Sequence, residues 1–165
     1  MTDAGAREHL VTWSDPGVLV AAARRMSGRD WLDAMRRGEL PMPPVAALLG
    51  FHITEVEEGR VVMVLSPAEY HYNPLGAVHG GVIATLLDSV MTCAVQSRLP
   101  AGQGCTTLEI KVNYLRAVAA ATGPITAEGR VIHLGRSTGM AEGMLVDAAG
   151  RRYAHATTTC MILGG

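Results

Sequence analysis

At 165 residues the chain has the length of one domain, large enough to bury a sizeable core and too short for two complete ones. Its 48% hydrophobic and 18% charged residues exclude the composition of a disordered chain. Fourteen basic against 15 acidic side chains, with a pI near 6.6, leave no general attraction to nucleic acid or to an anionic membrane, so an anionic ligand must be met by a few local groups.

The first ten residues lack the basic region and apolar stretch of a secretory signal. No window approaches the roughly 18 uninterrupted apolar residues of a membrane-spanning helix. A cytoplasmic protein is expected. Cys93, Cys105 and Cys160 are odd in number, widely spaced and set in apolar or strand-like runs, which predicts small core residues in a reducing compartment.

From about Asp15 to Leu40, Leu19, Ala22, Ala23, Met26, Trp31, Leu32 and Met35 recur at helical intervals, interrupted at Ser27-Gly28. One broken helix or two short ones are predicted, with Arg24, Arg25, Arg29, Arg36 and Arg37 on a solvated face. The prolines from Pro41 to Pro44 close this region, and Val45 to Leu49 is expected to be a short apolar turn. From Phe51 the period becomes two, with a strand pair turning at Glu58-Gly59. A loop rich in Pro, Asn and Gly leads to the longest helix candidate, His79 to about Arg98, closed by Pro100 and Gly102.

The rest reads as strands. In Thr106 to Arg116 the even positions Leu108, Ile110, Val112 and Tyr114 are apolar while Thr107, Glu109, Lys111 and Asn113 form the polar set. Three further strands are predicted at Ile125 to Leu134, Ser137 to Asp147 and Arg152 to Ile162, with a turn at Ala148-Ala149-Gly150. Two strands, one long helix and four strands argue for an antiparallel α+β domain in which the sheet wraps the helix.

On that helix Ile83, Leu86, Leu87, Val90 and Ala94 share a broad face, and Thr85, Ser89, Thr92 and Gln96 lie opposite. Asp88 falls at the border and reads as a solvent-facing acid or a site carboxylate. The helix opens on Gly80-Gly81, although Gly costs about 1 kcal/mol relative to Ala inside a helix. Either the first-turn N–H groups are bared to polarise a carbonyl, or a tight turn needs an unusual backbone angle there. Seven residues at 1.5 Å per residue place Gly81 and Asp88 ~10.5 Å apart along the axis, too far to share one carbonyl easily. If both act on one substrate, they come from two subunits, which implies a homodimer.

The run from Asn73 to Asp88, containing His79-Gly80-Gly81, followed by the strand from Thr107 to Arg116, resembles the hotdog-fold thioesterases of the phenylacetate-degradation (PaaI-like) type. The resemblance covers about Phe51 to Leu163 and implies a hotdog fold, an antiparallel sheet around one central helix. The chain then divides into an N-terminal helical extension, residues 1–48, and a hotdog domain, residues 49–165. It implies hydrolysis of an acyl-CoA to free acid and CoA. Asp88 would be nucleophile or general base, and Gly80 or Gly81 the oxyanion donor across a dimer interface. Asn73 would position water or thioester, Thr107 would assist, and His79 would orient the helix start rather than act as a base. The CoA moiety would meet Arg116, Arg136, Ser137 and Arg151, with Arg152 a further candidate. No metal or cofactor is implied beyond coenzyme A as part of the substrate. The implied partners are acyl-CoA and further copies of the chain, as a homodimer or dimer of dimers.

Gly135-Arg136-Ser137-Thr138-Gly139 spells the nucleophile-elbow pattern G-x-S-x-G, but that motif needs a helix after it and a strand is expected here. The six histidines show no metal-ligand spacing. Two other functions fit the same fold: a non-catalytic acyl-CoA binding protein, and an enoyl-CoA hydratase. The hydratase would need a His and an acid placed to move protons together, which His79 and Asp88 on one helix do poorly.

Overall fold

The helix Gly80–Gln96 (α4) is long and apolar on more than one side, as a helix enclosed by a sheet must be. In the computed structural model, which describes residues 5–164, six strands form one antiparallel sheet around it. They are Phe51–Glu57 (β1), Arg60–Leu65 (β2), Gly104–Tyr114 (β3), Ile125–Leu134 (β4), Thr138–Asp147 (β5) and Arg152–Leu163 (β6), in the order β1-β2-β4-β5-β6-β3. This is the hotdog architecture. Leu86, Leu87, Val90, Met91 and Val95 are wholly enclosed, each burial worth about 1.5–3 kcal/mol.

The inner face of the central strands alternates small residues with outward polar ones. Ala127 and Gly129 on β4, Ala141 and Gly143 on β5, and Ala154 and Ala156 on β6 are buried against the helix. A Cβ on Gly129 would lie 2.5 Å from the Val90 carbonyl oxygen, so the helix backbone approaches the sheet there as only glycine permits.

The N-terminal residues form two short helices, Gly17–Ala23 (α1) and Gly28–Arg36 (α2). Ser27 caps α2 by accepting from the Asp30 N–H. The break at Ser27-Gly28 is also a docking point. The Gly28 N–H donates to the Leu99 carbonyl (2.9 Å), and a Cβ on Gly28 would sit 1.8 Å from the Gln96 carbonyl oxygen. Leu19, Leu32 and Met35 join the same core as α4 and the sheet. Arg36 and Arg37 pair with Asp33 on the outer face.

Two local expectations change. Pro44–Leu49 is a helix (α3) rather than a turn: Pro44 occupies its first turn, where no N–H is needed, and Gly50 ends it at φ 72°. The expected clean alternation of β3 is broken by a bulge. Thr107 pairs with Cys160 and Glu109 with Thr159, leaving Leu108 unpaired and 57% exposed. No helix among the described residues is long and apolar enough to cross a membrane. The terminal positions 1–4 and 165 of the two expected segments lie outside the described residues.

Candidate active site

The bulge in β3 decides where Thr107 points. Had the alternation run unbroken, Thr107 would share the outward side of Glu109, Lys111 and Asn113. The extra residue reverses the phase, so Thr107 turns inward together with Ile110 and Val112. Its hydroxyl donates to Asp88 Oδ1 at 2.7 Å. Thr92, one helical turn after Asp88, donates to the same oxygen at 3.4 Å and lies 3.1 Å from the Thr107 hydroxyl. Among the described residues Asp88 Oδ2 accepts no hydrogen bond, so one carboxylate oxygen is anchored and the other is available.

Asp88, Ser89, Thr92, Thr106 and Thr107 line a cavity of about 270 Å³ whose other lining side chains are apolar or cysteine. The apolar wall includes Trp31, Leu32, Met35 and Met42 from the N-terminal segment and Phe51, Ile53 and Met63 from β1 and β2. Cys93 also lines it, but burial pushes its thiol up to about 12, leaving it protonated and poorly nucleophilic.

A second, more polar pocket of about 340 Å³ lies at the start of α4, lined by Asn73, Gly80, Tyr114 and Arg116. His79 is the N-cap of the helix, and its Nδ1 accepts from the Gly81 N–H at 2.9 Å. The His79 N–H donates to the His71 carbonyl, and the Val82 N–H to the His79 carbonyl. The Gly80 N–H is the first-turn donor left without an acceptor among the described residues. Neither glycine has a positive φ, so an unusual backbone angle is not their reason. Close contact is. A Cβ on Gly80 would lie 3.2 Å from the Tyr114 ring, and one on Gly81 3.0 Å from His79 Nδ1. Tyr114 donates to the Gly80 carbonyl at 2.8 Å.

Asn73 Oδ1 accepts from the Leu75 and Ala77 N–H groups (2.9 and 3.2 Å), which fixes the side-chain amide within its own loop and leaves Nδ2 to face a ligand. Asn73 and Gly80 therefore share one pocket, Asp88 and Thr107 share another, and the two pockets have no lining residue in common.

The basic candidates do not gather in one patch. Tyr114 pairs with Ala154 at one end of the sheet and Gly104 with Leu163 at the other. Arg116, Arg151 and Arg152 stand at the first end, Arg136 and Ser137 at the second, beside Met161 and Ile162. Arg116 lines the Gly80 pocket and donates to the Arg152 carbonyl at 2.6 Å. Arg151 is committed to Asp147, which is buried beneath it and also accepts from the Arg151 and Ala149 N–H groups. Burial alone would raise the Asp147 pKa, but these hydrogen bonds outweigh it and hold the carboxyl below its usual value. Arg136 is exposed in the β4–β5 turn; the G-x-S-x-G pattern there joins two strands, not a strand and a helix.

Four participants were not predicted. Thr92 stands four residues after Asp88, the spacing that brings two helical side chains together, yet helix-face reasoning set it on the polar side. Tyr114 belongs to the apolar set of the β3 alternation and is 51% exposed over the helix start. Trp31 and Met35 are separated from Asp88 by most of the chain's first half, and no local pattern links them to it.

A model of the thioesterase superfamily matches residues 75–154. The 1,4-dihydroxy-2-naphthoyl-CoA hydrolase of Listeria monocytogenes is 31% identical over 99 residues, covering 60% of this chain and 79% of that protein. The PaaI protein of the Escherichia coli phenylacetic acid degradation operon superposes with a TM-score of 0.72 at 25% identity, over 85% of this chain and 97% of its own. A Streptococcus mutans protein solved with bound acetyl CoA gives a TM-score of 0.63 at 28% identity, over 69% of this chain and 89% of its own. With the fold and these relatives agreeing, the chain belongs to the thioesterase superfamily, in its PaaI-like hotdog form, and is a thioester hydrolase.

Proposed function

We propose that the thioester is that of an acyl-CoA and that each active site is completed by two copies of the chain. The observation that carries this reading is the Asp88 carboxylate, anchored on one oxygen by Thr107 in the wall of an apolar cavity, with the only unclaimed first-turn amide of its helix in a different pocket among the described residues. Asp88 and Gly80 are eight residues apart on α4, ~12 Å along the axis, whereas a carbonyl must lie about 3 Å from its donor.

A β3–β3 pairing resolves the separation. β3 is the sheet's edge, eleven residues long and carrying exposed Leu108, and such an edge is a template for another strand. Antiparallel pairing of two copies sets the Thr107 end of one against the Tyr114 end of the other. It thereby brings Asp88 of one protomer toward Gly80, Asn73 and Arg116 of its partner. The same pairing draws Arg136 and Ser137 toward Arg116, which is where the CoA phosphates then lie.

In this site Asp88 takes the proton of a water, whose oxygen attacks the thioester carbon, or attacks that carbon itself to form a mixed anhydride that water then hydrolyses, regenerating the carboxylate. The carbonyl oxygen gains charge in front of the Gly80 N–H, at the positive end of the helix. The C–S bond breaks, CoA leaves as the thiol and the acid is released. Asn73 holds the carbonyl or the water through Nδ2, and His79 keeps the helix start in place.

Thiol release measured over a panel of acyl-CoAs tests the assignment. Turnover of at least one well above the spontaneous rate is expected; saturable binding without release from any would replace it with the non-catalytic reading. Label found in the Asp88 carboxylate after a single turnover in H₂¹⁸O identifies it as the nucleophile.

A further inference from the structure

Resting on the acyl-CoA reading above, we propose that the two N-terminal helices measure the acyl group. The site takes an apolar, unsubstituted acyl chain of about eight to ten carbons, and Trp31 is the wall that stops a longer one.

The polar side chains Asp88, Ser89, Thr92, Thr106 and Thr107 and the apolar Trp31, Met35, Met42, Phe51 and Met63 line the cavity, so an acyl chain whose thioester meets Asp88 extends toward the apolar set, its far end. A dry cavity of about 150 Å³ accepts benzene, roughly 25 Å³ per heavy atom. On that scale the cavity of about 270 Å³ holds about ten heavy atoms. Its unbranched methionines adapt to a flexible chain. The one polar atom of the indole is already used, because Trp31 Nε1 donates to the Leu19 carbonyl at 3.1 Å. A hydroxyl carried to the far end therefore enters a wall of apolar side chains with its desolvation uncompensated.

Beyond that wall lies a second apolar groove of about 570 Å³, bounded by Leu19, Val20, Pro44 and Leu163. Trp31, Pro43 and Cys105 line both spaces and so form the partition between them. Of the three, Trp31 is the side chain whose removal opens the largest gap. The partition is held firmly, since α2 is fixed to the end of α4 through the Gly28 N–H and the absence of a Cβ there. The N-terminal helices are in this sense part of the substrate site.

The test is the acyl-length profile of kcat/KM, from acetyl-CoA to palmitoyl-CoA, for the wild type, Trp31→Ala and Trp31→Phe. The wild type is expected to peak at roughly eight to ten carbons and to fall at least about tenfold by sixteen. Trp31→Ala should raise the ratio of palmitoyl to octanoyl turnover by about tenfold or more, while Trp31→Phe, which keeps a ring in the wall, should stay near the wild type. A gain on long chains cannot come from a damaged fold. If circular dichroism shows Trp31→Ala unfolded, Trp31→Leu takes its place, and the wild-type profile alone still decides the length claim. A peak at acetyl or palmitoyl, or a profile unchanged by opening the wall, overturns the proposal while leaving acyl-CoA hydrolysis intact. No release from any acyl-CoA removes the underlying reading instead.

Discussion

The first turn and the third turn of α4 belong to the same helix and offer opposite environments. At the first, backbone groups do the work: the Gly80 N–H is bare, Gly81 is capped by His79, and the surroundings include Asn73 and Arg116. At the third, a carboxylate is tethered by a hydroxyl in a largely apolar cavity. A donor for a developing oxyanion gains most where the helix dipole emerges, and a carboxylate acts best where water is scarce. One straight helix provides both only by keeping them a dozen ångströms apart. The difference teaches why the proposed site draws on two copies: within one chain the bare amide and the tethered carboxylate face separate pockets.

Removing the carboxylate is the harshest way to break the comparison. Asp88→Asn keeps Oδ1 as an acceptor for Thr107 and so should leave the fold intact. The loss of a base or nucleophile should lower kcat about 10²- to 10⁴-fold, read by thiol release beside an unchanged circular dichroism spectrum. Activity within a few fold of wild type would remove Asp88 from the mechanism.

Mixing halves sharpens it. Asp88→Asn and Gly80→Pro each abolish a different half, the second by deleting the Gly80 N–H. Co-refolded in equal amounts, two inactive variants should recover to about a quarter of wild-type activity, because about half the dimers are mixed and each of those holds one intact site. Recovery is absent if both groups act within one chain. Proline and alanine both place a Cβ 3.2 Å from the Tyr114 ring, so Gly80→Ala, which keeps the N–H, separates that contact from the loss of the amide.

These two half-sites were unequally legible in the amino-acid sequence. The order of strands and helix and the position of α4 follow from periodicity and helical rise, which are local quantities, and the same rise motivates the proposal of two subunits. The Gly80-Gly81 signal was visible as an anomaly, but its cause lies in Tyr114, 34 residues on, and in the imidazole of His79. Thr107 shows the limit most clearly. Alternation assigned it outward, the family resemblance assigned it to the site, and only the pairing of Leu108 against nothing reconciles the two. A bulge is a property of two strands, so one strand's pattern cannot contain it. Trp31 and Met35 were legible as an apolar helix face; that this face closes a cavity at Asp88 depends on Gly28 meeting the end of α4.

Thr107→Val removes the 2.7 Å hydrogen bond and keeps the shape. A hydrogen bond to a charged group contributes about 1.5–3 kcal/mol, so a loss of roughly 10- to 100-fold in kcat/KM is expected. Thr107→Ser, which restores the hydroxyl, should recover most of it. Were Thr107→Val and Thr107→Ser equally impaired, the residue would be acting through packing against Thr92 rather than through Asp88.

The smallest effect concerns the loop that holds the first-turn half in place. His71 is buried, its Nδ1 accepts from the Ala68 N–H at 3.0 Å and its Nε2 donates to the Leu49 carbonyl at 2.9 Å. Its own backbone carbonyl accepts from the His79 N–H, so this residue ties the loop carrying Asn73 to the cap of α4. Burial lowers the His71 pKa, partly opposed by the hydrogen bond to Leu49 and reinforced by His9. The unfolded chain then binds a proton near pH 6.5 that the folded chain still refuses. The stabilisation is complete above that value, declines as the pH falls through the interval below it, and is gone once the pH has passed the depressed folded value. Urea midpoints measured from pH 8 to pH 5 should therefore fall on the acid side. In His71→Asn, whose Oδ1 can accept from Ala68 but does not titrate, the midpoint should be lower at pH 8 and the acid decline shallower. An equally steep decline in the variant would place the acid sensitivity on another group.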